Sequence, residues 1–405
     1  MALKRCLQKR GLQRRLYQRR YKEQSQALKK EYPSLSLKSL LERLKLNLFL
    51  LGSVLFKELR FLWCLIYESL RLFPLWVYEL FRFCPGKRTG KGISARFLII
   101  GHRGAAAHEV ENTLPSLQAA LSRYDANALE IDLSFTRDKQ VVLWHDWDPD
   151  SVVAIVRQAG LEPEVKYRPY VPMNGPMRKP VHQLTLDELR RHYGYCLKKA
   201  YPEKIEVVIP TFEEFMHWAV DQETLRCVFL DLKTPPARKE LIPEITHNIN
   251  TIVKHFQPKF ELICLTPYRE ILQALKQTDP QLRISWDTDL PPGIVLDVPQ
   301  FSSVQRAIEH GNTIASVGRP TILQLGPWTT YRRVVDYDIR LKEKHNQAES
   351  VPVTALIGWT INKRREIRCL LRMGMDGILS DRPERLREVF KQEHQSGEYG
   401  QDGKS

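Results

Sequence analysis

Short apolar runs recur from residue 97 to residue 380, and the first four end on charged or titratable side chains. His102 and Arg103 follow Phe97–Ile100, and Glu130 and Asp132 lie at the end of Ala128–Leu133. His145 and Asp146 end the run Val141–His145, and Asp231 and Lys233 end Val228–Leu232. Glu261–Leu265, Arg283–Trp286, Val353–Thr360 and Gly377–Ser380 bring the runs to eight. Helical patterns such as Leu114–Tyr124, Thr185–His192 and Phe212–Asp221 read as crossovers. Eight strands alternating with helices predict an α/β chain folded as a (β/α)₈ TIM barrel over residues 95–390. Such a barrel builds its site at the C-terminal strand ends, where these polar residues fall.

The residue types suggest a chemistry. Glu130 and Asp132 are two apart on one strand, so both side chains point to the same face, with Ile131 on the other. Two neighbouring carboxylates repel unless a cation lies between them, and hard oxygen ligands suit Mg²⁺ or Ca²⁺. Asp231 would be a third oxygen ligand. Arg103 and Lys233 are cations suited to a phosphate, one as a planar fork and one as a point charge. His102 and His145, titrating near neutrality, can act as acid and base on opposite sides of a phosphorus atom. The group reads as metal-assisted phosphoryl transfer.

The wording of these runs is also distinctive. GHRGAAAHEVENTLPS resembles the opening His-Arg-Gly and Glu-Asn-Thr block of the glycerophosphodiester phosphodiesterase family. LEIDLSFTRDKQVVLWHD resembles that family's acidic pair and second histidine, and IPTFEEFMHW, FLDLK, GWTIN and GMDGILSDRPE match its later blocks in order. The resemblance covers about residues 97–388. It implies a barrel of the PLC-like phosphodiesterase type with an insertion at about 147–184. It also implies a divalent metal and hydrolysis of glycerophosphodiesters to glycerol 3-phosphate and an alcohol. His102 and His145 would then be the catalytic pair, and Glu130, Asp132 and Asp231 the metal ligands. Arg103, Lys233 and Trp359 would bind substrate, while Glu111 and Asn112 would orient the groups around them. Asp381 would fix the last strand–helix loop. Three positions depart from the family pattern: Val110 stands where proline is usual, Asp231 where glutamate is commoner, and Ser380 where threonine is. Residues Trp286–Val351 match no block.

The net charge of +15 is concentrated at the start of the chain: residues 1–45 hold fourteen Lys and Arg against three acids. Residues 1–34 read as a basic arm that attracts anionic surfaces; no nucleic-acid module accompanies it, so specific nucleic-acid binding is not expected. Residues 35–84 are rich in Leu, Phe, Trp and Tyr, but recurrent charges make a conventional spanning helix a poor reading. Lys57/Arg60, Glu68/Arg71 and Glu79/Arg82 recur every eleven residues. On a helix they share one strip and leave a wide apolar face. That face either docks on protein or lies in a membrane interface. The second reading is preferred, because a basic arm joined to an apolar helix supplies the two attachments that stable anchoring needs. Residues 85–94 read as a linker and 391–405 as a polar tail. Seven scattered cysteines without a C-x-x-C pair fit a reducing compartment. No secretory signal pattern opens the chain. The expectation is a membrane-associated enzyme facing the cytoplasm, acting on a glycerophosphodiester or a lysophospholipid. A lyase releasing a cyclic phosphate and a catalytically silent membrane scaffold are the alternatives.

Overall fold

A computed structural model of the chain describes residues 96–199, 203–290, 297–319, 328–349 and 351–398. The basic arm, the apolar segment 35–84 and the linker 85–94 lie outside the described residues. The first strand, β1 (Leu98–His102), leads to α1 (Leu114–Gln118), whose N-cap Thr113 accepts a hydrogen bond from the Ser116 backbone N–H. β2 (Ala128–Phe135) then turns directly into β3 (Val141–Leu143). An excursion follows, with α2 (Val152–Gln158), β4 (Tyr167–Tyr170), α3 (Leu186–His192) and β5 (Gly194–Leu197). After α4 (Phe212–Ala219), strands and helices alternate: β6 (Cys227–Leu232), α5 (Ile242–Phe256), β7 (Glu261–Thr266), α6 (Arg269–Thr278) and β8 (Ile284–Asp289). The last part holds α7 (Ser303–Glu309), β9 (Ile314–Gly318), α8 (Trp328–Ala348), β10 (Ala355–Trp359), α9 (Arg364–Met373), β11 (Gly377–Ser380) and α10 (Pro383–Glu398).

β1, β2 and β6 to β11 pair in parallel around a ring, and β1 closes it by pairing with both β11 and β2. The (β/α)₈ barrel is therefore as expected, but two of its strands differ from the sequence reading. Val141–His145 is not a barrel strand. Its first part is β3, which runs antiparallel to β2 with Leu133 opposite Leu143. The connection Thr136–Gln140 is too short for a crossover, which needs about a dozen residues, so only a hairpin can form. The missing barrel strand is β9, which falls inside the stretch that matched no family block.

Two further boundaries move. The excursion after β3 runs past residue 184 and returns where the Leu143 N–H donates to Pro210 O (2.8 Å) and Val142 bridges Thr211. The helix expected as a crossover at Thr185–His192 belongs to this excursion, and a Thr185/Glu188 capping box starts it. At the other end, α10 passes Phe390 and continues to Glu398. Arg368 and Arg372 of α9 both bind the buried Glu393, which holds that extra length to the barrel.

Packing follows the two-residue period of strands. Ile100, Ala128, Phe229, Ile263, Ile314 and Ile357 form a small cluster inside the ring. Their neighbours, including Ile99, Ile131, Leu230 and Leu356, join the larger core beneath the helices. Trp144, Val181, Leu189 and Tyr195 give the excursion its own core. Among the described residues no helix is long and apolar enough to cross a membrane.

Candidate active site

Parallel register brings the polar strand ends together. His102 of β1 lies opposite Glu130 of β2, and Asp132 of β2 lies opposite Asp231 of β6. Oxygens of Glu130, Asp132 and Asp231 lie within 4.8 Å of one another. Glu130 Oε1 and Asp231 Oδ1 are buried without a hydrogen-bond partner. A buried carboxylate oxygen left unpaired costs free energy, and a hard cation would satisfy both.

The loop after β1 is held tightly. Gly104 adopts φ +88°, and a Cβ there would fall 2.5 Å from Ser116 Oγ. That hydroxyl accepts from Ala105 N–H (3.0 Å) and donates to Arg103 O (3.0 Å), so the turn closes on the start of α1. The Arg103 N–H donates to Glu130 Oε2 (2.9 Å). The Arg103 guanidinium reaches Asp132 (2.9 Å), Glu111 (2.7 Å) and Glu162 (3.0 Å). This residue, expected on a phosphate, thus spends at least two of its nitrogens on carboxylates. Asn112 donates to Asp132 Oδ2 (2.7 Å) and accepts from the Asp132 N–H (3.1 Å). Glu111 orients through Arg103 and Arg157.

Both histidines are oriented by a carboxylate on Nδ1. His102 Nδ1 lies 2.6 Å from Asp381 Oδ1, while its Nε2 is 3.8 Å from Glu130 Oε2. Asn362 donates to the other Asp381 oxygen (2.6 Å). Asp381 therefore holds the His102 ring itself as well as the loop after β11. His145 Nδ1 lies 2.7 Å from Asp146 Oδ1, which also accepts from Arg157 (2.7 Å). In each ring a donating Nδ1 leaves Nε2 available for proton transfer.

Electrostatics separate the groups. Burial and then the carboxylates of Asp132 and Asp231 push Glu130 well above the usual carboxylate range. Burial would raise Asp132 too, but Lys233 and Arg103 hold it well below that range. Lys233 Nζ is 2.8 Å from Asp132 and 2.6 Å from Asp231. Burial followed by Arg157, Lys233 and Arg103 drives His145 well below the ordinary imidazole value. Seven carboxylates (Glu111, Glu130, Asp132, Asp146, Glu162, Asp231, Asp381) face three permanent cations (Arg103, Arg157, Lys233) around this one rim. A further divalent charge would reduce the imbalance. Trp359 ends β10 with its ring against Gly318, and its buried Nε1 lacks a hydrogen-bond partner.

The sequence profile of the glycerophosphoryl diester phosphodiesterase family matches residues 102–385. The chain belongs to this family. A Bacillus altitudinis glycerophosphodiester phosphodiesterase is 24% identical over 297 residues, 72% of this chain and 99% of the relative. A Bacillus subtilis protein provisionally given the same name is 21% identical over 305 residues, 71% of this chain and 95% of its own length. Among solved structures, one provisionally named glycerophosphoryl diester phosphodiesterase from Silicibacter pomeroyi superposes with a TM-score of 0.54. It is 20% identical, covering 72% of this chain and 92% of that one.

Sequence reasoning missed two members of this phosphodiesterase rim, both in the excursion. Arg157 binds Asp146, Glu162 (2.9 Å) and Glu111, and Glu162 also binds Arg103. Burial resists ionisation of Glu162, but Arg157 and Arg103 together hold it down to about 2. The one available signal was a lone arginine in the uncharged run VVAIVRQAG. Replacing Arg157 by Met should remove the arginine from buried Asp146 and leave Glu111 and Glu162 with Arg103 alone, and cost about 3–5 kcal/mol of stability, the scale for breaking a buried ion pair. Urea denaturation of the two proteins checks this; an unchanged midpoint would refute the role given to Arg157.

Proposed function

We propose that the chain hydrolyses glycerophosphodiesters to glycerol 3-phosphate and an alcohol, with a divalent cation, Mg²⁺ or Ca²⁺, held by Glu130, Asp132 and Asp231. The observation that carries this reading is one rim where two carboxylate-oriented histidines, His102 and His145, flank three clustered carboxylates with unpaired oxygens. The cation would supply positive charge beside the phosphate as negative charge develops there. Within the chain, neutral His145 suits the removal of a proton from the attacking water, and His102 suits the donation of a different proton to the leaving alcohol oxygen as its bond to phosphorus breaks. Lys233 and Arg103 add positive charge at the phosphate, and Trp359, at the end of β10, would line the substrate pocket. Bidentate capture by Arg103 would require it to release some of its carboxylates.

We extend the proposal to lysophospholipids and to a cytoplasm-facing membrane position attached through residues 1–84. The basic charge of residues 1–34 and the apolar, aromatic composition of residues 35–84 support it. A purified-chain assay on glycerophosphocholine tests the reaction. Glycerol 3-phosphate and choline should appear in equal amounts. A cyclic phosphate as the final product would identify a lyase, and absence of turnover on any phosphodiester would identify a scaffold.

A further inference from the structure

The excursion after β3 carries an apolar patch pointing away from the protein, next to the residues that reach into the active site. α2 is inverted for a helix of a soluble enzyme. Its Arg157 is only 3% exposed and is directed at the rim carboxylates, while Val152 is 76% and Ile155 50% exposed. Leu161, just beyond the helix, is 59% exposed, and Met173 is 77% exposed. Arg178 ties these pieces together: its guanidinium donates to Pro149 O and Gln158 Oε1, at the two ends of α2, to Pro172 O beside Met173, and pairs with Asp150. Scattered apolar residues on a surface are ordinary, but several gathered on one tip mark an interaction site.

The basic charge lies on the neighbouring strands β4 and β5, whereas Asp148, Asp150, Glu162 and Glu164 flank α2 itself. The segments 165–171 and 193–199, which hold the antiparallel pair β4 and β5, carry Lys166, Arg168, Lys198 and Lys199 and no acid. This strand pair lies directly against the end of α2, since a Cβ on Gly160 would fall 3.6 Å from both the Arg168 and Lys198 side chains. Lys166 and Lys199 are exposed. Aliphatic side chains beside lysines match a lipid surface with anionic headgroups, where the former enter the acyl boundary and the latter meet phosphates. The patch is too small for a protein partner of its own. A few partly exposed side chains fall well short of the ~800 Å² per partner that a stable protein interface buries.

We propose that this tip is a second lipid-docking surface, separate from residues 1–84, which seats the barrel mouth against a bilayer so that a lipid phosphodiester can enter. The inference rests on the hydrolase reading above. The test uses the full chain and a triple variant, Val152→Ser, Ile155→Ser and Met173→Ser. Substrates are soluble glycerophosphocholine and lysophosphatidylcholine carried in vesicles of phosphatidylcholine and phosphatidylserine. The variant should keep its kcat/KM on the soluble diester within about twofold and lose about tenfold or more on the vesicle-borne substrate. An equal loss on both substrates, or no loss on either, overturns the docking role. A wild-type dimer that dissociates in the variant, with vesicle turnover unchanged, would assign the patch to a second copy instead. Wild-type turnover of the soluble diester without turnover in vesicles defeats the inference but leaves the hydrolase standing. Failure on both substrates defeats the hydrolase reading itself.

Discussion

Changing His145 to Ala should lower kcat on glycerophosphocholine by about 10²–10⁴-fold, the range for a positioned acid or base, while KM shifts little. The reason is local. Asp146 holds Nδ1 at 2.7 Å, so the ring is fixed in one orientation and Nε2 is left for proton transfer. Burial, Arg157, Lys233 and Arg103 all oppose protonation of that ring. The acceptor form therefore dominates at neutral pH, and activity should survive acidification to below the usual imidazole value of about 6.5 before it falls. His102→Ala should cost a similar factor, because its Nδ1 is fixed just as closely by Asp381. The pH–rate profile of kcat/KM separates the two histidines. If the acid limb sits at or above the ordinary histidine range, His145 is not the proton acceptor described here.

The second large effect concerns the carboxylate trio. Stripping divalent ions should abolish turnover, and Mg²⁺ or Ca²⁺ should restore it. Asp231→Asn should require much more of either ion for half-maximal activity. Thermal stability gives a readout independent of turnover. A ligand that binds only the folded protein, at a hundred times its Kd, stabilises it by about 2.7 kcal/mol. Melting of the wild type should rise with ion concentration, and the variant's should respond less. Both expectations follow from Glu130 Oε1 and Asp231 Oδ1 lying buried and unpaired, in a pocket where burial and mutual repulsion already press Glu130 toward its protonated form. Full activity in protein shown to be metal-free would remove the cation from the proposal.

The sequence made the rim legible because a barrel shows its chemistry at strand ends. His102, Glu130, Asp132 and Asp231 each end or follow an apolar run, and parallel register sets them side by side. Strand direction was harder to read. Val141–Leu143 is buried on all sides and looks like a barrel strand, yet it is a hairpin return. The five residues from Thr136 to Gln140 carry the information that it cannot cross over, and loop length had to be weighed above hydrophobicity. β9 was hidden for the opposite reason. Its sequence IASVG is short and contains small residues, because the Trp359 ring fills the space over Gly318. Arg157 and Glu162 could not be assigned from spacing, since they reach the rim from an insertion whose path only the fold reveals.

The hairpin position of His145 has a consequence for how such enzymes diversify. One imidazole sits on the closed ring, whose geometry is shared by eight strands. The other is carried on a side branch that also supplies Arg157 and Glu162 and displays the aliphatic tip. Sequence drift in that branch alters what the mouth meets and how the second imidazole is aimed in a single step, leaving the ring untouched. Substrate preference and turnover should therefore vary together among relatives whose branches differ, and exchanging the branch between two of them should transfer both properties at once.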